Sequence, residues 1–164
     1  MKRTQPRTRC FGGGFSLLEV VLVLAIMSIV AVIAVPRYAR ALSRYRAETA
    51  ARRLAADLEY ARTLAHDSSG TQIITFDAVA DTYTLTGRDD PDRPGRPYTV
   101  DLAGGSYRAD LTSVDFAGTA TVSFDAYRTP DKGGSVLVTA GDYAFVVQVD
   151  EQSGDVTLTG PLAH

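Results

Sequence analysis

Glu19 is the residue of this chain most in need of a chemical partner. It is the one charged residue among the 21 from Phe15 to Val35. An ionised carboxylate in an apolar surrounding costs several kcal/mol unless it is paired. Gly12-Gly13-Gly14 precede the run, and such a flexible stretch extends easily into a protease site. A cut after Gly14 leaves Phe15 as a new, apolar N-terminus. Its amine then lies one helical turn from Glu19, because residues i and i+4 share a helix face. A carboxylate in the first turn also faces the positive end of the helix dipole. The chemistry open to these residues is a peptide-bond cleavage, followed by an ion pair between Glu19 and an N-terminal amine, its own or a neighbour's.

Other reactive groups are sparse. Cys10 is the single cysteine and cannot form an internal disulfide. His66 stands near a helix end, where a cation faces the negative end of the dipole, and His164 is the last residue. Asp89, Asp90 and Asp92 offer oxygen ligands for calcium but lack the spacing of a calcium loop, so a solvated acidic loop is the alternative. There is no Walker loop, HExxH, GxSxG or CxxC. The expectation is a protein that is not an enzyme, with no catalytic residues, no metal site and no cofactor.

The elements that must position Glu19 follow from hydropathy. A helix over Phe15–Val35 would be about 31 Å long, the thickness of a bilayer core. Lys2, Arg3, Arg7 and Arg9 precede it. A secretory signal peptide with Val32-Ile33-Ala34 as its cleavage site is one reading, but the run exceeds the usual apolar region of about 7–15 residues. A plain membrane anchor explains the length and leaves Glu19 and the glycines unexplained. Pro36 lacks an amide donor and should kink the helix or open it locally. Beyond it, Tyr38, Leu42, Tyr45, Ala50 or Ala51, Leu54, Leu58, Ala61 and Leu64 or Ala65 recur at helical spacing. Arg40, Arg44, Arg46, Glu48, Arg52, Arg53, Asp57, Glu59 and Arg62 are assigned to the other face. The arginines from Arg37 to Arg53 could meet lipid head groups or a partner subunit, or form a solvated face. Gly70 suits the stop of this helix.

After Gly70 the pattern turns to alternation. Strands are predicted over Thr71–Phe76, Thr82–Thr86, Tyr98–Leu102, Leu111–Phe116, Ala120–Phe124, Ser135–Thr139, Tyr143–Val149 and Val156–Thr159. Asp77–Asp81, Thr129–Gly134 and Glu151–Asp155 have turn chemistry, and Gly87–Pro97 is predicted to be a surface loop. Removing residues 1–14 takes away four of the 17 basic residues and none of the 19 acidic ones, leaving 13 against 19, a net of −6. Such a body is a poor general nucleic-acid binder.

The stretch "GFSLLEVVLVLAIMSIVAVIAVP" resembles the class III signal of type IV pilins and type II secretion pseudopilins. The resemblance implies that a prepilin peptidase cuts between Gly14 and Phe15 and methylates the Phe15 amine. It also implies that Glu19 neutralises the N-terminus of an adjacent subunit during filament assembly. "AARRLAADLEYARTLAHDSSGTQIITFD" is similar to the H-type pseudopilins and FimT-like minor pilins, whose "DL-x-YAR" element falls here on Asp57-Leu58-Glu59-Tyr60-Ala61-Arg62. The late "FDAYRTP" and "SGDVTL" resemble that group's "F-D-x-x-G-x-P" and "G-x-V" hairpin, with Tyr127-Arg128-Thr129-Pro130 where that glycine is usual. The calcium-loop pattern and aromatic C-terminal signature of the major pseudopilin are not seen.

The implied fold is α+β and type IV pilin-like: a long N-terminal helix packed on a small antiparallel body, expected as two sheets. The implied organisation is a leader at 1–14, a transmembrane and filament-core helix at 15–36, an amphipathic helix at 37–69 and a periplasmic β domain at 70–164. The implied function is that of a minor pseudopilin of the type II secretion pseudopilus. Its partners would be other pseudopilins or pilins, the prepilin peptidase, an inner-membrane assembly platform and, before assembly, membrane lipid; no nucleic acid is expected. The chain would be a single-pass inner-membrane protein with a cytoplasmic leader and periplasmic body. Alternatives are a minor type IV pilin in pilus assembly or DNA uptake and, from another class, a membrane-tethered periplasmic binding module.

Overall fold

The computed structural model describes residues 15–163. One helix, α1 (Leu17–Asp67), is followed by eight strands: β1 (Gln72–Asp77), β2 (Thr82–Asp90), β3 (Arg93–Asp101), β4 (Asp110–Asp115), β5 (Thr121–Phe124), β6 (Gly134–Ala140), β7 (Tyr143–Val149) and β8 (Val156–Ala163). By contacts the chain divides after Tyr38 into two units. The first is the apolar start of α1. Every residue from Phe15 to Val35 is exposed in it, and α1 is long and apolar enough to cross a membrane. The Ser28 hydroxyl donates to the Leu24 carbonyl at 2.8 Å, so that polar group is satisfied within the helix. The helix continues through Pro36.

The second unit is built of the rest of α1 and two antiparallel sheets, ordered β3-β2-β1-β5 and β4-β6-β7-β8. Helical periodicity puts Ala47, Ala50, Ala51, Leu54, Leu58, Ala61 and Ala65 on one buried stripe. Alanine dominates it, which lets the sheets approach the helix backbone closely. Leu54 and Leu58 share one core cluster with Ile74, Tyr83 and Leu85 of the first sheet and Val136, Val138 and Val147 of the second. Strand alternation supplies the sheet side of that core; β1 is buried at Gln72, Ile74 and Phe76 and exposed between them.

Three expectations change. The stripe is buried only from Ala47 onward; Tyr38 and Tyr45 are 72% and 66% exposed. Helical spacing fixes a face, and only the length of the sheets decides how far along the helix that face is covered. Second, Gly87–Pro97 is not an open loop. β2 and β3 continue into it as a hairpin in which Asp90 pairs with Arg93 and the ladder shifts register between Leu85 and Asp90. Backbone pairing needs no apolar side chains, and prolines are tolerated at a turn and on an edge strand, where Pro94 and Pro97 lie. Third, β8 runs past Thr159 to Ala163.

Candidate assembly helix and its clamp on the body

In the first unit, Phe15 and Glu19 line the same shallow surface with Val20, Val23 and Leu24. Phe15 is 82% exposed. The first helical bond nearby runs from the Val20 amide to the Ser16 carbonyl at 3.2 Å, so Glu19 belongs to the first turn. Gly14, the other half of the expected cleavage site, lies outside the described residues, as does the rest of the 1–14 leader.

In the second unit, the Asp57–Arg62 element holds the helix to the sheets. Asp57, assigned above to the polar face, is 6% exposed. It sits on the buried stripe between Leu54 and Leu58, and polar partners make that place tolerable. The Tyr83 hydroxyl of β2 donates to Oδ2 at 2.6 Å and the Tyr98 hydroxyl of β3 donates to Oδ1 at 2.9 Å. Arg53 Nε donates to Oδ2 at 3.0 Å, and its Nη2 donates to the Tyr98 hydroxyl at 2.6 Å. Burial, then the Asp57 charge and hydrogen bond, hold the Tyr83 phenol far above its usual range. Burial, then the hydrogen bond to Asp57 and its charge, push Tyr98 up to about 12. Burial alone would lower the Arg53 guanidinium; the Asp57 charge and hydrogen bond, together with Tyr98 and Tyr83, outweigh it and raise it.

Five residues on, Arg62 reaches the β7–β8 loop of the second sheet and the β5–β6 connection between the sheets. Its Nη1 meets Asp155 Oδ1 at 3.1 Å and Glu59 Oε2 at 3.4 Å, Nη2 donates to the Ser153 carbonyl at 2.8 Å, and Nε donates to the Arg128 carbonyl at 3.2 Å. Glu59 Oε1 accepts from the Val156 amide at 3.3 Å. Gly154 closes this corner at φ +70°, where an added Cβ would come within 2.5 Å of the Arg128 carbonyl oxygen. Arg128, in the stretch that lacks the resembled group's glycine, takes φ +69°. His66 stands in the last turn of α1, as expected, and its Nδ1 lies 2.9 Å from the Ala126 carbonyl. A carbonyl only accepts, so Nδ1 carries the proton there. Asp150 braces the same corner, accepting from the Gln152 and Ser153 amides and the Ser153 hydroxyl. These bonds hold its carboxyl below the usual carboxylate range.

No sequence signal named Tyr83 and Tyr98 as partners. An acid on an apolar stripe was the available clue. The acidic hairpin tip gains no metal geometry: Asp90 Oδ1 accepts from the Asp92 amide at 2.9 Å, and among the described residues no group of three or more His, Cys, Asp or Glu could hold an ion.

The family model described as type II transport protein GspH matches residues 50–154. The chain belongs to the GspH family. The matched range contains Asp57, Arg62, Tyr83 and Tyr98. Two crystal structures of the type IV minor pilin FimU from Pseudomonas aeruginosa strain PAO1 share the fold. One has a TM-score of 0.51 and 18% identity over 70% of this chain and 93% of FimU; the other crystal form gives 0.51 and 18% over 72% and 91%. No curated protein matches by sequence. This GspH-family chain therefore has the type IV pilin fold, that of structural filament subunits and not of enzymes, and it is a minor pilin or pseudopilin.

Proposed function

We propose that the chain is a minor pseudopilin of a type II secretion system, a structural subunit of the pseudopilus that supports export of folded proteins. The observation that carries this reading is Glu19 one turn from Phe15 on a helix start whose apolar side chains are all exposed. Burying a large apolar side chain is worth about 1.5–3 kcal/mol, so this surface needs lipid first and neighbouring helices later. The prepilin peptidase removes residues 1–14 and methylates Phe15. Glu19, costly in lipid, then pairs with a neighbour's Phe15 amine as the subunit leaves the bilayer for the filament. Pro36 loosens the helix past the apolar run. Before assembly the chain spans the inner membrane once, leader in the cytoplasm and body in the periplasm, beside the assembly platform.

Intact mass measurement of the mature protein tests this. The expected mass lacks residues 1–14 and carries one extra methyl on Phe15; an uncut N-terminus, or a cut near Ala34, overturns the reading.

A minor type IV pilin is the second reading, favoured by the likeness to FimU. Deleting the gene separates the two: loss of exported enzyme with pili intact supports secretion, and the reverse supports pili.

A further inference from the structure

We propose that the 126–128 loop of one copy docks in a groove on the first sheet of a second copy, an inference that rests on the filament-subunit reading above. The loop is pinned through its backbone alone. The Tyr127 and Thr129 amides donate to Asp125 Oδ1 at 2.8 and 2.9 Å, and the Arg128 amide donates to the Asp125 carbonyl at 3.0 Å. His66 and Arg62 of α1 hold the Ala126 and Arg128 carbonyls. Tyr127 is 87% exposed and Arg128 is exposed as well. Neither side chain makes a hydrogen bond, ion pair or ring contact with another described residue. Tyrosine and arginine are prominent among the side chains that dominate interfaces, and a loop already ordered loses little freedom on docking. Arg128 holds its place at φ +69°, and such strain clusters at ligand clamps and other functional sites.

The same chain carries the complement. A groove of about 430 Å³ is lined by Asp90, Asp92, Asp101, Arg93, Thr99 and Tyr107, a size within the range of binding clefts. Three carboxylates stand there against one guanidinium, and Asp90, Asp92 and Asp101 make no ion pair among the described residues. Arg128 supplies a cation for them, and Tyr107 offers a ring against which Tyr127 can pack. Asp125 and Asp131 flank the loop, so a polyanion, whether lipid surface or nucleic acid, would meet like charge.

Sheet order sets how the copies meet. The groove lies at the β3 edge, and the loop leaves β5 at the opposite edge, where the Phe124–Pro130 bridge keeps it. Surfaces on opposite edges suit copies standing side by side in one orientation, and the contact then repeats from copy to copy. Arg53 lines the hollow beside the groove, whereas Arg62 and His66 hold the loop. Those levels are roughly 14–20 Å apart along the helix. Successive copies are thus staggered along α1, as in an open helical assembly.

The test uses the full chain carrying Cys10→Ser, Ser106→Cys and Thr129→Cys, in phosphatidylcholine vesicles with a short thiol-to-thiol crosslinker. The expected product is a ladder of dimers, trimers and larger species whose digested peptides join position 106 to position 129. Arg128→Gly added to this chain should cut the linking by about tenfold while the body gains stability, which separates docking from folding. High salt should weaken the linking. Absence of the 106–129 link from a chain that is folded and floats with the vesicles overturns the inference, as does linking undiminished by Arg128→Gly. Links between like positions only overturn it in favour of a symmetric pair. In cells, a link from position 129 to a different filament subunit in place of a second copy overturns it in favour of that subunit. The filament reading stands or falls separately, on the mass of the mature N-terminus.

Discussion

The Tyr83 hydroxyl donates a 2.6 Å hydrogen bond to the Asp57 carboxylate, joining the second strand to the middle of the helix in the buried core. Tyr98 and Arg53 complete the set around the same carboxylate. One acid thereby registers two strands of the first sheet on the helix, and Arg62, five residues later, ties down the β7–β8 loop and the β5–β6 connection.

Replacing Asp57 by Leu should destabilise the body by about 3 kcal/mol, because two buried hydroxyls lose their acceptor and Arg53 its counter-charge. Tyr83→Phe should cost about 1–3 kcal/mol. Urea unfolding read by circular dichroism checks both. A neutral Asp57→Leu would show that the apolar stripe, not the carboxylate, sets the helix position.

Tyr98 titrates near 12 in the folded protein against 10.0 unperturbed. The folded state therefore holds a proton that the unfolded chain releases first. Its stabilisation is complete below pH 10 and is lost as pH rises through about 12, with Tyr83 acting in the same direction. Thermal midpoints should be level up to about pH 9 and fall between about pH 10 and 12. Tyr98→Phe should flatten part of that fall.

Arg62→Ala should release the Ser153 and Arg128 carbonyls and speed proteolysis in the 150–155 loop, at a cost of about 1–3 kcal/mol. Gly154→Ala attacks the same corner through the backbone, at φ +70° with no room for Cβ, and should cost about as much. Limited proteolysis with intact-mass readout locates the cuts. Cuts elsewhere would place the weak point outside the Arg62 corner.

Arg128 adopts φ +69° without being glycine. Left-handed backbone costs a side-chain-bearing residue about 1–2 kcal/mol, and glycine's extra unfolded-state freedom returns about 0.5–1 of it. Arg128→Gly should raise stability by about 0.5–1 kcal/mol, measurable by urea unfolding.

Glu19→Leu should leave membrane insertion intact and abolish incorporation into filaments, since the substitution removes the charge that a neighbour's amine would meet. Membrane fractionation and co-purification with other filament subunits read the two effects separately. Normal incorporation of the variant would remove Glu19 from assembly.

Local pattern was enough for much of the architecture. The apolar run, the helical stripe and the strand alternation depend on residues within a few positions of each other, and α1 ends at Asp67 just before the glycine that signalled its stop. Where backbone pairing or coverage by another element decides, local pattern failed: the β2–β3 hairpin tip is polar and still paired, and Tyr45 continues the stripe and is still exposed.

By itself the sequence determined the long helix with its one early acid, the start of the alternating body, and the family resemblance that the 50–154 match bears out. The tertiary structure alone decided that β5 pairs with β1 and not with its neighbour in the chain β4, that Asp57 faces inward, and that Arg62 holds two distant loops. Periodicity encodes which face of an element is apolar. Which elements meet, and which polar groups must then be satisfied, is settled only when residues 26 or 93 positions apart are brought together.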